Sequence, residues 1–376
     1  MLVERSSQAA SPAVRRRGAR PGRRDGHGRL QQQGHRQPAD RPEPGGGQAA
    51  SLNGAGATFP KDFYEKVFAD FDAKNGTQTN YQAIGSGGGI QQFTAKTVDF
   101  GATDAPMKDA ELAKAEAAGG AVLHIPTVLG AVTVTYNLPG LQQALKMDGR
   151  LIGDIFVGKV RTWNDPEIAA QNSGVALPNL PVATVHRSDS SGTTANFTGY
   201  VAKQDPEFDA RIGAGKEVKW VGGIGGKGND GVTAAVKQTR GAVGYVELSY
   251  ALKNHLPVAD VKNAAGRYVT PTPDSVTAAA SDLSRIPGDF RGQLLNSPAP
   301  SAYPISIWTF LLVFQKQADA AKGRTLARLL WFVTHDGQAS AKAIGFAPLP
   351  STVVPRIEAE IRSITDSGGA ALYTGA

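Results

Sequence analysis

The residues from His186 to Thr194 are the ones best suited by type and spacing to do chemistry. An apolar run over 180–185 precedes them and a helix-like pattern over 195–201 follows, which predicts a strand, a short turn and a helix. The first backbone N–H groups of a helix have no partner within it, and the helix dipole places partial positive charge there. Small Ser, Gly and Thr residues let a ligand approach those groups closely. The turn is therefore predicted to bind an anion.

Arg187 and Asp189 add opposite charges to this turn. The planar guanidinium of Arg187 offers a fork of donors that suits a tetrahedral oxyanion. Asp189, two residues on, could hold that fork in one orientation, so that binding costs less ordering entropy. The alternative is a solvated ion pair worth at most about 1 kcal/mol.

Asp104 follows a predicted strand and is free for a task other than capping a helix. A carboxylate only accepts hydrogen bonds, so it repels a fully deprotonated oxyanion but accepts a bond from a protonated one. Such a group would select hydrogenphosphate over sulfate, because a buried acceptor left unpaired is costly.

A second small-residue turn, Gly85–Gly89, precedes a predicted helix start at Ile90 and is a second possible anion cradle. No G-x-G-x-x-G is spelled out there, because the sixth position is Ile90. Two alternatives stay open at this point. The Gly85–Gly89 segment could be an ordinary flexible turn, and 191–193 could be an ordinary helix cap.

The segment 222–231 resembles a nucleotide-binding P-loop but fails on spacing. The first glycine should stand where Val221 is, and Gly228 follows Lys227 where Ser or Thr is required. A structural Gly-rich turn is the better interpretation.

The six histidines predict neither a metal site nor a catalytic one. None has a second His at ligand spacing, and the chain has no Cys, so no metal is expected. His186 with Ser188 or Ser191 would suggest hydrolase chemistry, but no G-x-S-x-G surrounds either serine. We interpret His186 as a strand-end residue without a catalytic role.

The first fifty residues differ in composition from the rest of the 376-residue chain. They hold ten Arg, no Lys and four acidic residues, so most of the formal net charge of +7 lies there and the remainder is near +1. Disorder is expected for this Arg/Gly/Pro-rich segment. It lacks the apolar core of a secretory signal. A mistranslated upstream region or misassigned start is the favoured explanation, with a genuine polybasic tail as the alternative.

Strand-like and helix-like segments alternate after Ser51, which predicts an α/β fold with largely parallel or mixed sheets. Helices are predicted over 61–73 with Gly76 at the end, 110–118 with Asp109 as N-cap, 151–157, 195–201, 232–239, 325–334 and 351–364. Strands are predicted over 80–83, 98–102, 241–246 and 305–314. The β-rich run 121–136 looks too long for one strand and could cross between domains. No window of about 18 apolar residues predicts a transmembrane helix.

Taken in order, several segments resemble the phosphate-binding subunit of the phosphate-specific ABC transport system of bacteria, over nearly all of residues 51–376. These segments are Gly54–Pro60, Gly85–Ile90, Phe100–Pro106, Arg187–Thr194, Gly226–Val232 and Gly241–Glu247. Each is modest alone, whereas their order and spacing together are specific.

The resemblance implies a two-lobed, hinged periplasmic-binding-protein fold (type II-like), each lobe a central sheet flanked by helices, with phosphate clamped in the cleft. Lobe 1 is expected to comprise 51–134 plus 304–376, and lobe 2 to comprise 135–303. Carried over position by position, the implied phosphate ligands are the backbone N–H groups of Thr58, Phe59 and Gly192 and the side chains of Ser86, Asp104, Arg187, Ser191 and Thr193. Asp189 is implied to orient Arg187, and no cofactor is expected.

The same resemblance implies a partner and a location. The chain is expected to bind hydrogenphosphate as a monomer and to hand it to the transmembrane permease of an ABC transporter. Family members are exported to the periplasm or cell surface, although residues 1–50 show no signal peptide. Three other functions stay as alternatives. A phosphoesterase would need a nucleophile with a base, and none can be assembled. A receptor for molybdate or sulfate is the second, and a nucleic-acid binder driven by the Arg-rich segment is the third, although nucleic acid is not expected as a partner.

Overall fold

The computed structural model describes residues 51–141, 143–281, 284 and 286–375. The predicted disorder of residues 1–50 lies outside this part of the chain. The strands are β1 (Leu52–Gly56), β2 (Thr79–Ala83), β3 (Phe100–Thr103), β4 (Val122–Tyr136), β5 (Lys146–Met147), β6 (Ala183–Arg187), β7 (Ile224–Gly226), β8 (Ala242–Glu247), β9 (Asp260–Lys262), β10 (Tyr268–Val269), β11 (Ser306–Phe314), β12 (Lys316–Gln317) and β13 (Thr365–Asp366).

Helices lie between most of these strands. They are α1 (Lys61–Asn75), α2 (Ser86–Thr94), α3 (Asp109–Gly119), α4 (Gly149–Phe156), α5 (Pro166–Gln171), α6 (Gly192–Gln204), α7 (Pro206–Arg211), α8 (Gly228–Gln238), α9 (Leu248–Lys253), α10 (Pro273–Ala279), α11 (Ala320–Thr334) and α12 (Val354–Arg362). Within the described residues no helix is both long and apolar enough to cross a bilayer. The predicted α/β class is confirmed.

The largest sheet among the described residues has eight strands in the order β2-β1-β3-β11-β4-β8-β6-β7. Strands β1, β2 and β3 are parallel to one another, as are β6, β7 and β8, whereas β11 and β4 are antiparallel to their neighbours. The sheet is therefore mixed, as predicted. Two short sheets, β10-β9-β5 and β12-β13, complete the pairing.

Strand β4 joins the two ends of this sheet. Its residues 122–131 pair with β11, and 132–136 pair with β8. We call β1, β2, β3, β11 and residues 122–131 the first strand group, and β6, β7, β8 and residues 132–136 the second strand group. The expectation that this run is too long for one strand was wrong. A 15-residue strand is sustained here because it changes partner midway. The lobe boundaries at 134/135 and 303/304 remain predictions.

Helix α1 shows how the sequence pattern builds a local element. Phe63, Tyr64, Val67, Phe68 and Phe71 recur at helical spacing, and all five are buried. Gly76 ends the helix in the left-handed conformation, and its N–H donates to the backbone oxygen of Asp72. The buried apolar face of α1 thus fixes the position of this helix, which directly follows the loop at Thr58.

Several predicted helix starts need correction. Helices α6, α8 and α11 begin earlier than predicted, at Gly192, Gly228 and Ala320, and α12 begins later, at Val354. Helix α2 begins at Ser86 rather than Ile90, so the glycines form its first turn instead of a loop before it. Asp109 is not the N-cap of α3, because Lys108 holds that position and its N–H donates to the Glu111 carboxylate at 2.8 Å. Acidic residues near a helix N-terminus are favourable whether Lys108 or Asp109 is the N-cap, so the sequence alone could not separate these two starts.

Candidate functional site

Within the described residues, α2, α6 and α8 all begin near the junction of the two strand groups. The backbone N–H of Gly192, the first residue of α6, donates to the Ser86 hydroxyl of α2 at 3.0 Å. The N–H of Gly228, the first residue of α8, donates to Asp189 at 3.0 Å. The first N–H groups of each helix have no partner within the helix itself, and each end carries partial positive charge. Their convergence creates a site with a strong preference for anions.

Arg187, the last residue of β6, adds a full positive charge to this site. Its Nε and Nη2 donate to the two carboxylate oxygens of Asp189 at 2.7 and 2.5 Å, and its Nη1 donates to Thr193 Oγ1 at 3.3 Å. The two charged side chains are only 1% and 13% exposed. Burial alone would raise the pKa of Asp189, but the hydrogen bond and charge of Arg187 lower it below its usual value. The solvated-pair alternative is thus wrong, and the guanidinium is held in one orientation.

Asp104 lies opposite, just after β3, and is 3% exposed. Its carboxyl group accepts a hydrogen bond from Thr309 Oγ1 at 3.0 Å and a longer one from Ser86 Oγ at 3.4 Å. Burial raises its pKa to about 7, against the opposing effects of the Thr309 hydrogen bond and the Arg187 charge. Burial thus makes this carboxyl group easier to protonate than an exposed aspartate.

The loop before α6 combines capping with hydrogen-bonding capacity. Ser191 is the N-cap, and its hydroxyl oxygen accepts from the Thr194 N–H at 3.1 Å. That bond uses only the oxygen, so the hydroxyl proton can still be donated elsewhere. At Gly192, a Cβ atom would lie 2.6 Å from Ser86 Oγ and 2.7 Å from Asp104 Cβ. Only glycine fits where α6 approaches the first strand group.

Thr58 and Phe59 lie in the loop between β1 and α1. Thr58 Oγ1 accepts from the side-chain amide of Asn229 at 2.9 Å and from its backbone N–H at 3.2 Å. The Thr58 backbone oxygen accepts from Tyr250 at 2.7 Å. Phe59 packs its buried ring against Phe346. The contacts of Thr58 hold this loop against α8 and α9.

Asn229 is a site residue that the sequence analysis missed. Its side-chain Nδ2 also donates to Thr193 Oγ1 at 3.5 Å, and its side-chain Oδ1 accepts from the backbone N–H of Glu247 at 3.0 Å. It therefore links the Thr58 loop to the loop before α6. A signal was present, because the glycine-rich stretch at 226–231 runs into the first turn of α8, as the other two small-residue turns run into α2 and α6.

The remaining candidates take no part in this network. The His186 ring stacks on Trp220 with centroids 4.9 Å apart, and its Nδ1 contacts the backbone oxygen of Arg187 at 3.0 Å. Among the described residues no cluster of three or more His, Asp or Glu could hold a metal ion.

Known proteins are similar to this chain over most of its length. Residues 41–328 match the PBP superfamily domain. A phosphate-binding protein PstS of Xylella fastidiosa (strain Temecula1) is 40% identical over 83% of this chain and 85% of its own length. The PstS of Pasteurella multocida is 37% identical over 87% of this chain and 94% of its own.

A solved structure agrees with these matches at the level of the fold. A high-affinity periplasmic phosphate-binding protein, determined with phosphate bound, superposes with a TM-score of 0.67 at 23% identity, over 86% of this chain and 96% of that one. The fold is thus the two-lobed binding-protein fold that the resemblance implied. The chain belongs to the PBP superfamily and, within it, to the family of phosphate-binding proteins PstS.

Proposed function

We propose that this chain binds inorganic phosphate between the two strand groups, without covalent chemistry, and delivers it to an ABC transporter permease for import. The observation that carries the proposal is one buried carboxyl group, Asp104, facing Arg187 and the first turns of α2 and α6. Donors alone would suit any oxyanion. A carboxylate among them favours an oxyanion that still carries a proton.

The proposed ligand groups come from both strand groups. The first contributes the Thr58 and Phe59 N–H groups, Ser86 and Asp104, and the second contributes Arg187 and the loop after it. From that loop we assign the Ser191 and Thr193 hydroxyls and the Gly192 N–H. Asp189 holds Arg187 in place and does not itself contact phosphate. Burying a dianion costs little only when nearly all its oxygens are paired, and this set of donors supports that condition.

Asp104 also argues against a receptor for sulfate or molybdate. Hydrogenphosphate donates its proton to the carboxylate, whereas those dianions carry no proton at neutral pH. They would bring a second negative acceptor against Asp104 in a buried site, where repulsion is strong. The neighbouring Thr309 hydroxyl holds one carboxyl oxygen at 3.0 Å, and the other has only the longer 3.4 Å bond from Ser86, which we propose the ligand displaces.

Isothermal titration with phosphate, sulfate and arsenate tests the proposal directly. We expect phosphate to bind at micromolar concentration or tighter and sulfate to bind far more weakly. Failure to bind phosphate in that range, or equal affinity for sulfate, would refute the assignment.

A phosphoesterase built on the same anion site is the enzymatic alternative. Ser191, a serine of the anion loop, uses its oxygen to cap α6, and the His186 ring stacks on Trp220. We therefore propose binding without turnover, and release of an aryl alcohol from an aryl phosphate ester would contradict it.

The location and assembly of the chain are part of the same proposal. The names of its relatives and the periplasmic solved protein support export to the periplasm or cell surface, and we propose that it acts there as a monomer. Nucleic acid is not expected as a partner. If the Arg-rich segment did confer such binding, deleting residues 1–50 would abolish it.

A further inference from the structure

In helix α2, three consecutive glycines follow the first residue, Ser86, although glycine is among the poorest helix formers. They are Gly87, Gly88 and Gly89. The structure gives each a different neighbour. A Cβ atom on Gly89 would lie 2.4 Å from the Gly56 Cα, inside the first strand group. The three atoms nearest to one on Gly88 would all belong to the Ile84 side chain, the first of them its terminal Cδ1 at 3.0 Å. Neither of these contacts involves the second strand group.

Gly87 differs because it faces the loop between β6 and α6. A Cβ atom there would lie 2.1 Å from Ser190 Oγ and 2.3 Å from Ser190 Cβ. The Ser190 Cβ is fixed to the backbone, so rotating the hydroxyl cannot relieve that overlap. The Gly87 N–H also donates to the Ser190 backbone oxygen at 3.0 Å, which holds the two segments at this separation. The contact exists only when one of the two residues lacks a side chain.

This contact lies immediately beside the proposed ligands. Ser86 precedes Gly87, and Ser191 follows Ser190, so a shift of either segment moves a ligand group on each side of the site. Small displacements of such groups have large effects on binding, because the geometry is shared by several hydrogen bonds.

We propose that Gly87 and Ser190 form a matched pair that sets how closely the two strand groups approach around phosphate. The inference rests on the proposed function. Gly87 is a positioning residue that does not contact the ligand, and its missing side chain is required for full closure. A side chain at position 87 is compatible with closure only if position 190 becomes glycine.

Four variants of the full chain, titrated with inorganic phosphate, test the pair. We expect Gly87→Ala to weaken phosphate binding by about ten- to a hundredfold, because overpacking blocks the closed contact. Gly88→Ala, one residue along the same helix turn, is the matched control and should bind like the unaltered chain. Ser190→Gly alone should bind nearly as well. The double variant Gly87→Ala with Ser190→Gly should regain most of the lost affinity.

Thermal unfolding without phosphate separates closure from folding. Gly87→Ala should melt at the same temperature as the unaltered chain or higher, since alanine favours the helix. Unchanged affinity in Gly87→Ala, an equal loss in Gly88→Ala, or no recovery in the double variant would overturn the pair. If the unaltered chain itself does not bind phosphate, the proposed function fails first, and that result is distinct because it precedes any comparison of variants.

Discussion

Opposing electrostatic effects act on the carboxyl group of Asp104. Burial disfavours its charged form, while the Thr309 hydroxyl and the Arg187 charge favour it, and the outcome is a pKa of about 7. Neutralising the group would remove the only basis proposed for telling a protonated oxyanion from an unprotonated one. Selectivity and pH response therefore both depend on this side chain.

Replacing Asp104 with Asn should reduce selectivity more than affinity. The amide can donate to an unprotonated oxyanion, and the repulsion between two acceptors disappears. We expect the ratio of sulfate to phosphate dissociation constants to fall about tenfold or more, measured by competitive titration. An unchanged ratio in this variant would rule out the carboxylate as the selective group.

The ligand-free protein should lose stability as pH rises towards neutrality. The folded-state pKa of Asp104 lies above its unfolded value, so its contribution is fully present below the unfolded pKa and is lost as pH rises through about 7. The free energy of unfolding should fall by at most about 1.4 kcal/mol per pH unit from this group. Denaturant unfolding of the unaltered chain and of Asp104→Asn, at pH values between the unfolded and folded pKa of Asp104, provides the measurement. If the free energy of unfolding changes with pH in the same way in both proteins, the assignment is contradicted.

At the scale of single elements, helix α6 carries both structural and binding functions through Ser191. Its hydroxyl caps the helix, as the Asp148 carboxylate caps α4 by accepting from the Leu151 N–H at 2.9 Å. The two caps are equivalent for stability, but only one adjoins the proposed site. They therefore form a matched pair for separating the two functions.

Ser191→Ala should lower both stability and phosphate affinity, whereas Asp148→Ala should lower stability alone. Loss of an N-cap costs about 1 kcal/mol in either helix. Chemical unfolding and phosphate titration of both variants measure the two effects. If Ser191→Ala binds phosphate normally, the residue is a cap and not a ligand.

The elements were largely predictable from sequence because their signals are local. The helix predicted over 61–73 occupies Lys61–Asn75, since five apolar residues mark its buried face. The site was less predictable where contacts join distant segments. Thr309 reaches Asp104 across 205 positions and Asn229 reaches Thr58 across 171, and no local pattern marks such pairs. Strand β4 was misjudged because its change of partner is a property of the assembled sheet.

For the whole molecule, closure depends on the contacts that join the two strand groups. Among the ion pairs that join helices beside the first strand group to segments beside the second, two differ sharply in burial. Lys216 contacts Glu111 of α3 at 2.5 Å and has a side chain only 7% exposed, whereas Lys253 contacts Asp62 of α1 at 3.2 Å and is 67% exposed. Burial lowers the pKa of Lys216, and the hydrogen bond from its ammonium to Glu111 opposes that shift. The Lys216 backbone oxygen also accepts from the Ser191 N–H at 2.9 Å, which ties this pair to the proposed site.

Removing the buried pair should therefore speed the release of phosphate. In Glu111→Gln, closure would bury an ammonium group without its carboxylate, so the closed form is destabilised relative to an open form in which water solvates Lys216. Stopped-flow displacement should show release faster by about tenfold. Asp62→Asn, which removes the exposed pair, should change the release rate by less than about threefold, because solvent already screens it. Equal rates for the two variants would mean that burial of Lys216 does not contribute to closure.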